Sequence, residues 1–271
     1  MRLLLLSDIH GNLEALEACL AAAPPHDAVA NLGDVVGYGA SPNQVVERVR
    51  DMASIHIRGN HDRCCCGLED LENFNPVAAA AARWTNQQLS EANREWLRAL
   101  PSGPLRDADW DEVQFVHGSP LDEDEYIASE FAAEAALQAA PFRLTFFGHT
   151  HIQGAYARLR LVTEKVTERL TAESLANESD GQPARITVSR IPVSRITVSR
   201  LTLATGVKYL VNPGSVGQPR DSDRRAAFAL YDGDAAEVRF YRVPYDIARA
   251  QQKILAAGLP PVLATRLEDG R

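Results

Sequence analysis

The feature that most constrains this chain is where its histidines fall. Five of the seven histidines sit in short polar motifs that follow brief apolar runs or carry a glycine turn, and the same motifs hold Asp8, Asp34 and Asn60. The motifs are Asp8-Ile9-His10, Gly33-Asp34-Val35-Val36-Gly37, Gly59-Asn60-His61-Asp62, His117-Gly118 and Gly148-His149-Thr150-His151. An apolar run of a few residues that ends in a glycine-containing polar loop reads as a buried strand delivering its loop to one edge of a sheet. The chain must therefore fold so that several strand ends meet in one place. His26 and His56 lie outside the motifs and are read as having no functional part.

The elements between the motifs fit that demand. Leu3 to Leu6 is continuously apolar, the pattern of a central strand covered on both faces. Leu13, Leu16 and Leu20 recur at helical spacing and stop at Pro24-Pro25. Val29 to Leu32 and Ile55 to Ile57 are further short strands with a helix around Asn43 to Arg50 between them. Asn75-Pro76 reads as a cap and first helical residue, opening an Ala-rich helix through Trp84 toward Leu89, and Ser90 caps another that ends before Pro101. Trp84 is read as helix core rather than a stacking platform. Val113 to Val116 and Leu144 to Phe147 are strands, and β-rich sequence then dominates until a helix near Asp246 to Ala256. Alternating β and α elements imply a layered α/β fold, taken here as one domain over residues 1–271.

Two carboxylates, one amide oxygen and several imidazoles, with no thiolate, form a ligand set suited to Mn, Fe, Ni or Zn in a catalytic site. At an extended strand end, side chains two residues apart point the same way, so Asp8 and His10 could reach one metal, and His149 and His151 repeat the spacing. Cys64, Cys65 and Cys66 follow directly on the third motif. Adjacent thiols do not pair in ordinary disulfide geometry, and they read as small buried hydrophobes.

Composition excludes several classes. A net charge of −8 disfavours a stable duplex nucleic-acid binder, which needs cations to neutralise phosphates. The leucine run is broken by Asp8 and His10 too early for a secretory h-region, and no stretch approaches the roughly 20 apolar residues of a membrane helix. With no disulfide framework, a cytoplasmic location without membrane association is expected. Residues 160–205 break the order: they are polar, and Arg185-Ile-Thr-Val-Ser-Arg190 restarts at Arg195-Ile-Thr-Val-Ser-Arg200. Because the alternation changes face every five residues, the segment reads as a hairpin or bulged surface insertion without a catalytic role, its arginines keeping exposed edges soluble.

Taken in order, the five motifs resemble those of the calcineurin-like metallophosphoesterases, in a branch similar to bacterial single-domain phosphodiesterases. Asn212-Pro213-Gly214-Ser215-Val216-Gly217-Gln218-Pro219-Arg220 resembles a loop of the bacterial members. The resemblance implies a calcineurin-like α/β sandwich with mixed β-sheets flanked by helices. It also implies two divalent metal ions, Mn first, with Fe, Ni or Zn as alternatives: Asp8, His10 and His151 on one, Asn60, His117 and His149 on the other, and Asp34 bridging. A metal-bridging hydroxide would then attack a phosphodiester. His61 would serve the leaving group with Asp62 orienting it, and Arg58 and Arg220 are candidate phosphate contacts. The alternative substrates are dinucleoside polyphosphates or other nucleotides. Protein phosphatase activity fits less well, because Gly33-Asp34-Val35-Val36-Gly37-Tyr38-Gly39 lacks that branch's arginine. A non-catalytic scaffold, a role taken by some members of this fold, would be expected to have lost site residues that are retained here.

Overall fold

Four successive leucines cannot hide from water on one side of a sheet only, and that fact sets the layering. In the computed structural model, which describes residues 1–160, 165–170 and 196–271, Leu3, Leu4, Leu5 and Leu6 are all wholly buried. Leu4 and Leu6 pack into one apolar cluster and Leu3 and Leu5 into another, so the strand has a core on each face.

The strands in chain order are β1 (Arg2–Leu6), β2 (Ala28–Asn31), β3 (Ile55–His56), β4 (Val113–Phe115), β5 (Leu144–Phe146), β6 (Gly154–Arg160), β7 (Lys165–Leu170), β8 (Thr197–Thr202), β9 (Lys208–Asn212), β10 (Ala226–Asp232) and β11 (Glu237–Val243). They form a six-stranded sheet in the order β3-β2-β1-β10-β11-β8 and a five-stranded sheet in the order β4-β5-β9-β6-β7. Both are mixed: β1, β2 and β3 run parallel, as do β4, β5 and β9, and the remaining pairings are antiparallel.

The helices are α1 (Leu13–Ala22), α2 (Pro42–Met52), α3 (Asn60–Cys65), α4 (Pro76–Gln88), α5 (Glu91–Ala99), α6 (Glu130–Ala139), α7 (Ile247–Ala256) and α8 (Val262–Asp269). Between the sheets lie Leu3, Leu5, Phe115, Phe146, Tyr209 and Phe240. The outer face of the first sheet packs on α1, α2 and α5 through Leu16, Val45, Val49 and Leu97, and that of the second packs on α6 through Ala133, Ala136 and Leu137. The result is an α/β/β/α sandwich. Among the described residues no helix is long and apolar enough to cross a membrane.

The expected caps are in place: the Asn75 side chain accepts from Val77 N and Ala78 N, that of Ser90 from Asn93 N, and that of Asp246 from Arg249 N. Trp84 packs against the cluster that joins α4 to α7 and α8. Three helices went unforeseen. The third motif, read as loop, is the first turn of α3; α6 follows a Ser129 cap that accepts from Ala132 N; and α8 stops at Gly270, whose φ of 64° is the left-handed helix-ending conformation.

The segment 160–205 is also revised at its edges. Arg160 ends β6, β7 pairs with β6, and β8 closes the edge of the first sheet, with Leu201 and Leu203 buried in the inter-sheet core. These stretches are framework strands. Most of the duplicated run, including Arg185, Arg190 and Arg195, lies outside the described residues; Arg200 is in β8.

One polar side chain ties the two sheets together. Buried Gln153, just before β6, donates through Nε2 to the carbonyls of Pro213, Phe228 and Tyr241, and its Oε1 accepts from Arg242 Nε at 3.0 Å. Arg242 is itself buried and paired with Asp221. Gln153→Leu keeps much of the volume but strands these partners, so we expect a loss of about 1–3 kcal/mol in denaturant unfolding.

Candidate metal centre

The loops after β1, β2, β4 and β5 and the first turn of α3 bring the five motifs to one end of the sandwich. They interlock through the backbone: Asp8 N donates to Gly33 O, His10 N to Asp34 O and Gly11 N to Val35 O, so the first two loops run side by side. The Asn212–Arg220 loop braces them from below. Val216 N donates to Ser7 O, Gly217 N and Ser215 Oγ donate to Asp8 O, and Asn212 Nδ2 donates to Gly148 O.

Strand alternation does not aim the ligands. Asp8, His10, Asp34, His149 and His151 all have φ between 50° and 64°, in the left-handed region that non-glycine residues rarely enter. The extended-strand argument for Asp8-x-His10 and His149-x-His151 is therefore replaced by tight turns, and the members of the second pair go to different clusters. Asp8, His10, Asp34 and His151 place ligand atoms within 4.8 Å of one another; so do Asp34, His117 and His149. Asp34 belongs to both. The third motif adds Asn60, whose Oδ1 is 3.2 Å from His117 Nε2.

The hydrogen bonds around the rings say which nitrogen is free. His10 Nδ1 contacts Val36 O at 3.1 Å, His117 Nδ1 contacts Leu32 O at 2.8 Å and His151 Nδ1 contacts Gln218 O at 2.6 Å. A carbonyl can only accept, so each Nδ1 carries the proton and each Nε2 faces inward. His149 is turned the other way, with Nε2 on Asp124 O at 3.1 Å and Nδ1 left over. Burial holds His10 and His151 well below the usual histidine range, so both are neutral, and their Nε2 lone pairs face each other at 3.1 Å. Two bare lone pairs at that distance repel unless a cation lies against both.

Asp34 makes the same demand. Its Oδ1 accepts from His61 N at 2.9 Å, whereas its buried Oδ2 has no hydrogen-bond donor and lies 3.6 Å from His10 Nε2 and 3.5 Å from His117 Nε2. Burial would raise its pKa, but neighbouring imidazoles, His117 foremost, outweigh burial and hold it well below the carboxylate range. Burial likewise opposes the charging of His117, yet Asp34 wins and pushes it up to about 10. The site attracts positive charge, and its oxygen and imidazole donors fit divalent transition-metal ions.

The remaining candidates separate. His61 is buried beside the cluster, its ring 4.9 Å from that of His10 and 4.4 Å from that of Tyr38, with Nδ1 unpartnered. Burial pushes it down to about 4. Asp62 does not bond that ring: its oxygens accept from Gly59 N and Val36 N, both at 3.1 Å, so it fixes the start of α3 and the turn after Asp34. Arg220 N donates to His151 O, and its charge acts on Asp8, His10, His61 and His151. Arg58, whose buried Nε has no hydrogen-bond acceptor, acts through its charge on Cys66. Burial raises all three thiols of the cysteine run, Cys64 to about 12, leaving them un-ionised at neutral pH.

A cleft of about 330 Å³ opens beside the cluster, lined by Asn60, His61 and His149 together with Tyr38, Phe74 and Tyr126. Tyr126 stacks on His149 with ring centroids 3.8 Å apart, and Arg63 ties α3 to the loop before α6 through Glu123 and Asp124. Tyr38, Tyr126 and the Gln218 carbonyl were not anticipated. Aromatic residues in glycine-rich or acidic loops carry no periodic signal, and a backbone carbonyl carries no sequence signal at all.

This fold and this cluster define a metal-dependent phosphoesterase. The sequence pattern of the calcineurin-like phosphoesterases matches residues 1–153, and the chain belongs to that family, whose members hydrolyse phosphoric esters with divalent metals. It is similar to the crystal structure of a metallophosphoesterase from Sphaerobacter thermophilus, with 37% identity and a TM-score of 0.77 over 100% of this chain and 99% of that one. The uncharacterized protein MJ0912 of Methanocaldococcus jannaschii is 32% identical over 98% of this chain and 97% of its own. The hypothetical protein PH1004 of Pyrococcus horikoshii OT3 shares the fold at 20% identity, with a TM-score of 0.73 over 100% of this chain and 98% of that one.

Gly59 offers a test of how Asp34 is held. A Cβ there would lie 2.1 Å from Asp34 Oδ1 and 2.5 Å from Asp34 N. Gly59→Ala must displace Asp34 and should weaken metal binding by about 10–100-fold, with Asp34→Asn weakening it at least as much, read by metal content after dialysis against graded chelator.

Proposed function

We infer that the chain hydrolyses a phosphodiester with two divalent ions, one held by Asp8, His10 and His151, the other by Asn60, His117 and His149, and both by Asp34. The observation that carries this reading is Asp34 Oδ2, a buried, undonated carboxylate oxygen lying between imidazole nitrogens of the two clusters. Two ions held there, with Mn the first choice, would lower the pKa of a water between them and neutralise charge on the phosphate.

The other groups follow from position. His61 stands at the junction of cluster and cleft, where a neutral imidazole still has one N–H to donate toward a leaving oxygen. Asp62 is a positioning residue acting through Gly59 and Val36. Arg220 supplies positive charge beside His10 and His151. Phe74 and Tyr126 give the cleft apolar walls with room for an ester's second substituent, which favours diesters over monoesters. A small phosphate ester or nucleotide in the cytoplasm is the substrate this reading calls for.

The test is to strip the protein of metal, restore Mn, Ni, Zn or Fe, and assay bis(p-nitrophenyl) phosphate, p-nitrophenyl phosphate and diadenosine tetraphosphate in parallel. Diester hydrolysis should dominate; preference for the tetraphosphate would reassign the chain to nucleotide hydrolysis, and no turnover with bound metal would leave a scaffold. His61→Ala should keep its metal content and lose about 10²–10⁴ in kcat.

A further inference from the structure

Two guanidinium groups flank the same aromatic ring at the edge of the metal centre. The Arg220 Cζ lies 5.8 Å from the Tyr38 ring centroid and the Arg266 Cζ 6.0 Å from it. Tyr38 in turn lies 4.7 Å from the His10 ring and 4.4 Å from the His61 ring, and it lines the cleft. The two arginines thus meet at a ring that borders the imidazoles of the centre, and they come from distant parts of the chain, the Asn212–Arg220 loop and α8.

Neither guanidinium is paired with an acidic side chain. Among the described residues no aspartate or glutamate side chain lies within ion-pair distance of Arg220 or Arg266, although Arg224 and Arg225 nearby are paired with Glu268 and Asp223. Arg220 uses one terminal nitrogen on Gln218 Oε1 at 3.0 Å, and its buried Nε has no acceptor. Arg266 spends its Nε on Arg271 O at 2.8 Å, an anchor that leaves both terminal nitrogens of its fork. Burial, and after it the charge of Arg220, lower Arg266 below the ordinary arginine range. Two partly buried like charges that act on each other beside a phosphate-ester site suit an anion, and arginine forks match phosphate oxygens in pairs.

We propose that Arg220 and Arg266, which share the Tyr38 ring, bind a second phosphate group of the substrate, distinct from the one that reacts. This rests on the phosphoesterase reading above and narrows it. The substrate is a phosphodiester or nucleotide that carries an additional phosphate, and Arg266, remote from the metal ligands in sequence, determines specificity.

Two chromogenic diesters that differ only in that group separate the possibilities: thymidine 5′-(p-nitrophenyl phosphate) and the same compound bearing a 3′-phosphate. With the metal-reconstituted full chain, the 3′-phosphate should raise kcat/KM at least about tenfold, mainly through KM, because a group bound away from the reacting centre contributes to binding. Arg266→Gln should abolish that advantage and leave the unphosphorylated diester within about twofold. Arg266→Lys should restore it only in part. Equal use of the two diesters by the unaltered protein, or an advantage that survives Arg266→Gln, overturns the proposal.

Tripolyphosphate titrated into the metal-free chain by calorimetry gives a readout independent of turnover, with binding expected in the unaltered protein and at least about tenfold weaker in Arg266→Gln. A chain that hydrolyses no ester yet shows this difference has lost the catalytic reading and kept the anion site. Equal heats from both proteins remove the anion site whatever the turnover. Matching thermal unfolding of the variants guards against a loss that is merely structural.

Discussion

The arrangement at the end of the sandwich depends on one buried carboxylate. Asp34 is almost wholly inside the protein, one oxygen bonded to a backbone amide and the other facing imidazole nitrogens from two sides. A charge in that position is tolerable only with compensating positive charge close by. The surrounding groups supply or invite it: Asp34 pushes the pKa of His117 up, and the lone pairs of His10 and His151 point at each other across a space fit for a cation. The glycines and the left-handed turns of the loops make such crowding sterically possible.

Rigidity around this centre comes from backbone acceptors. Carbonyls of Leu32, Val36, Asp124 and Gln218 each take one ring N–H, so the outward side of every histidine ligand is fixed by main chain. Main-chain acceptors cannot rotate away, unlike side-chain partners, and they set ring orientation as long as the loops hold their shape. The loops are held by one another and by the Asn212–Arg220 segment, which is why a stretch without a metal ligand matters as much to the centre as those that have one.

Much of this was legible in the sequence. The leucine run announced a strand with two covered faces, the caps at Asn75, Ser90 and Asp246 announced their helices, and the ordered motifs announced a site with the donors now seen to converge. What escaped notice did so for physical reasons. The αL turns at Asp8, His10 and His149 cannot be read from residue type, because the protein enforces them against local preference. Asp62 looked like a partner of its neighbour His61, but a carboxylate at the third position of a short helix finds the backbone amides at its start first. The strand β8 was hidden by its polar, repetitive surroundings, although Leu201 and Leu203 alternate into the core.

The order of the strands has a consequence for how the chain matures. Every candidate metal ligand has been made once residue 151 leaves the ribosome, and the family pattern is complete by residue 153. Yet β1 lies between β2 and β10, β5 lies between β4 and β9, and the carbonyl that orients His151 belongs to Gln218. A nascent chain with all its ligands therefore lacks half the neighbours that shape them. The centre as it stands needs the strands made last, and a chain interrupted before them displays the motifs without the partners that orient them.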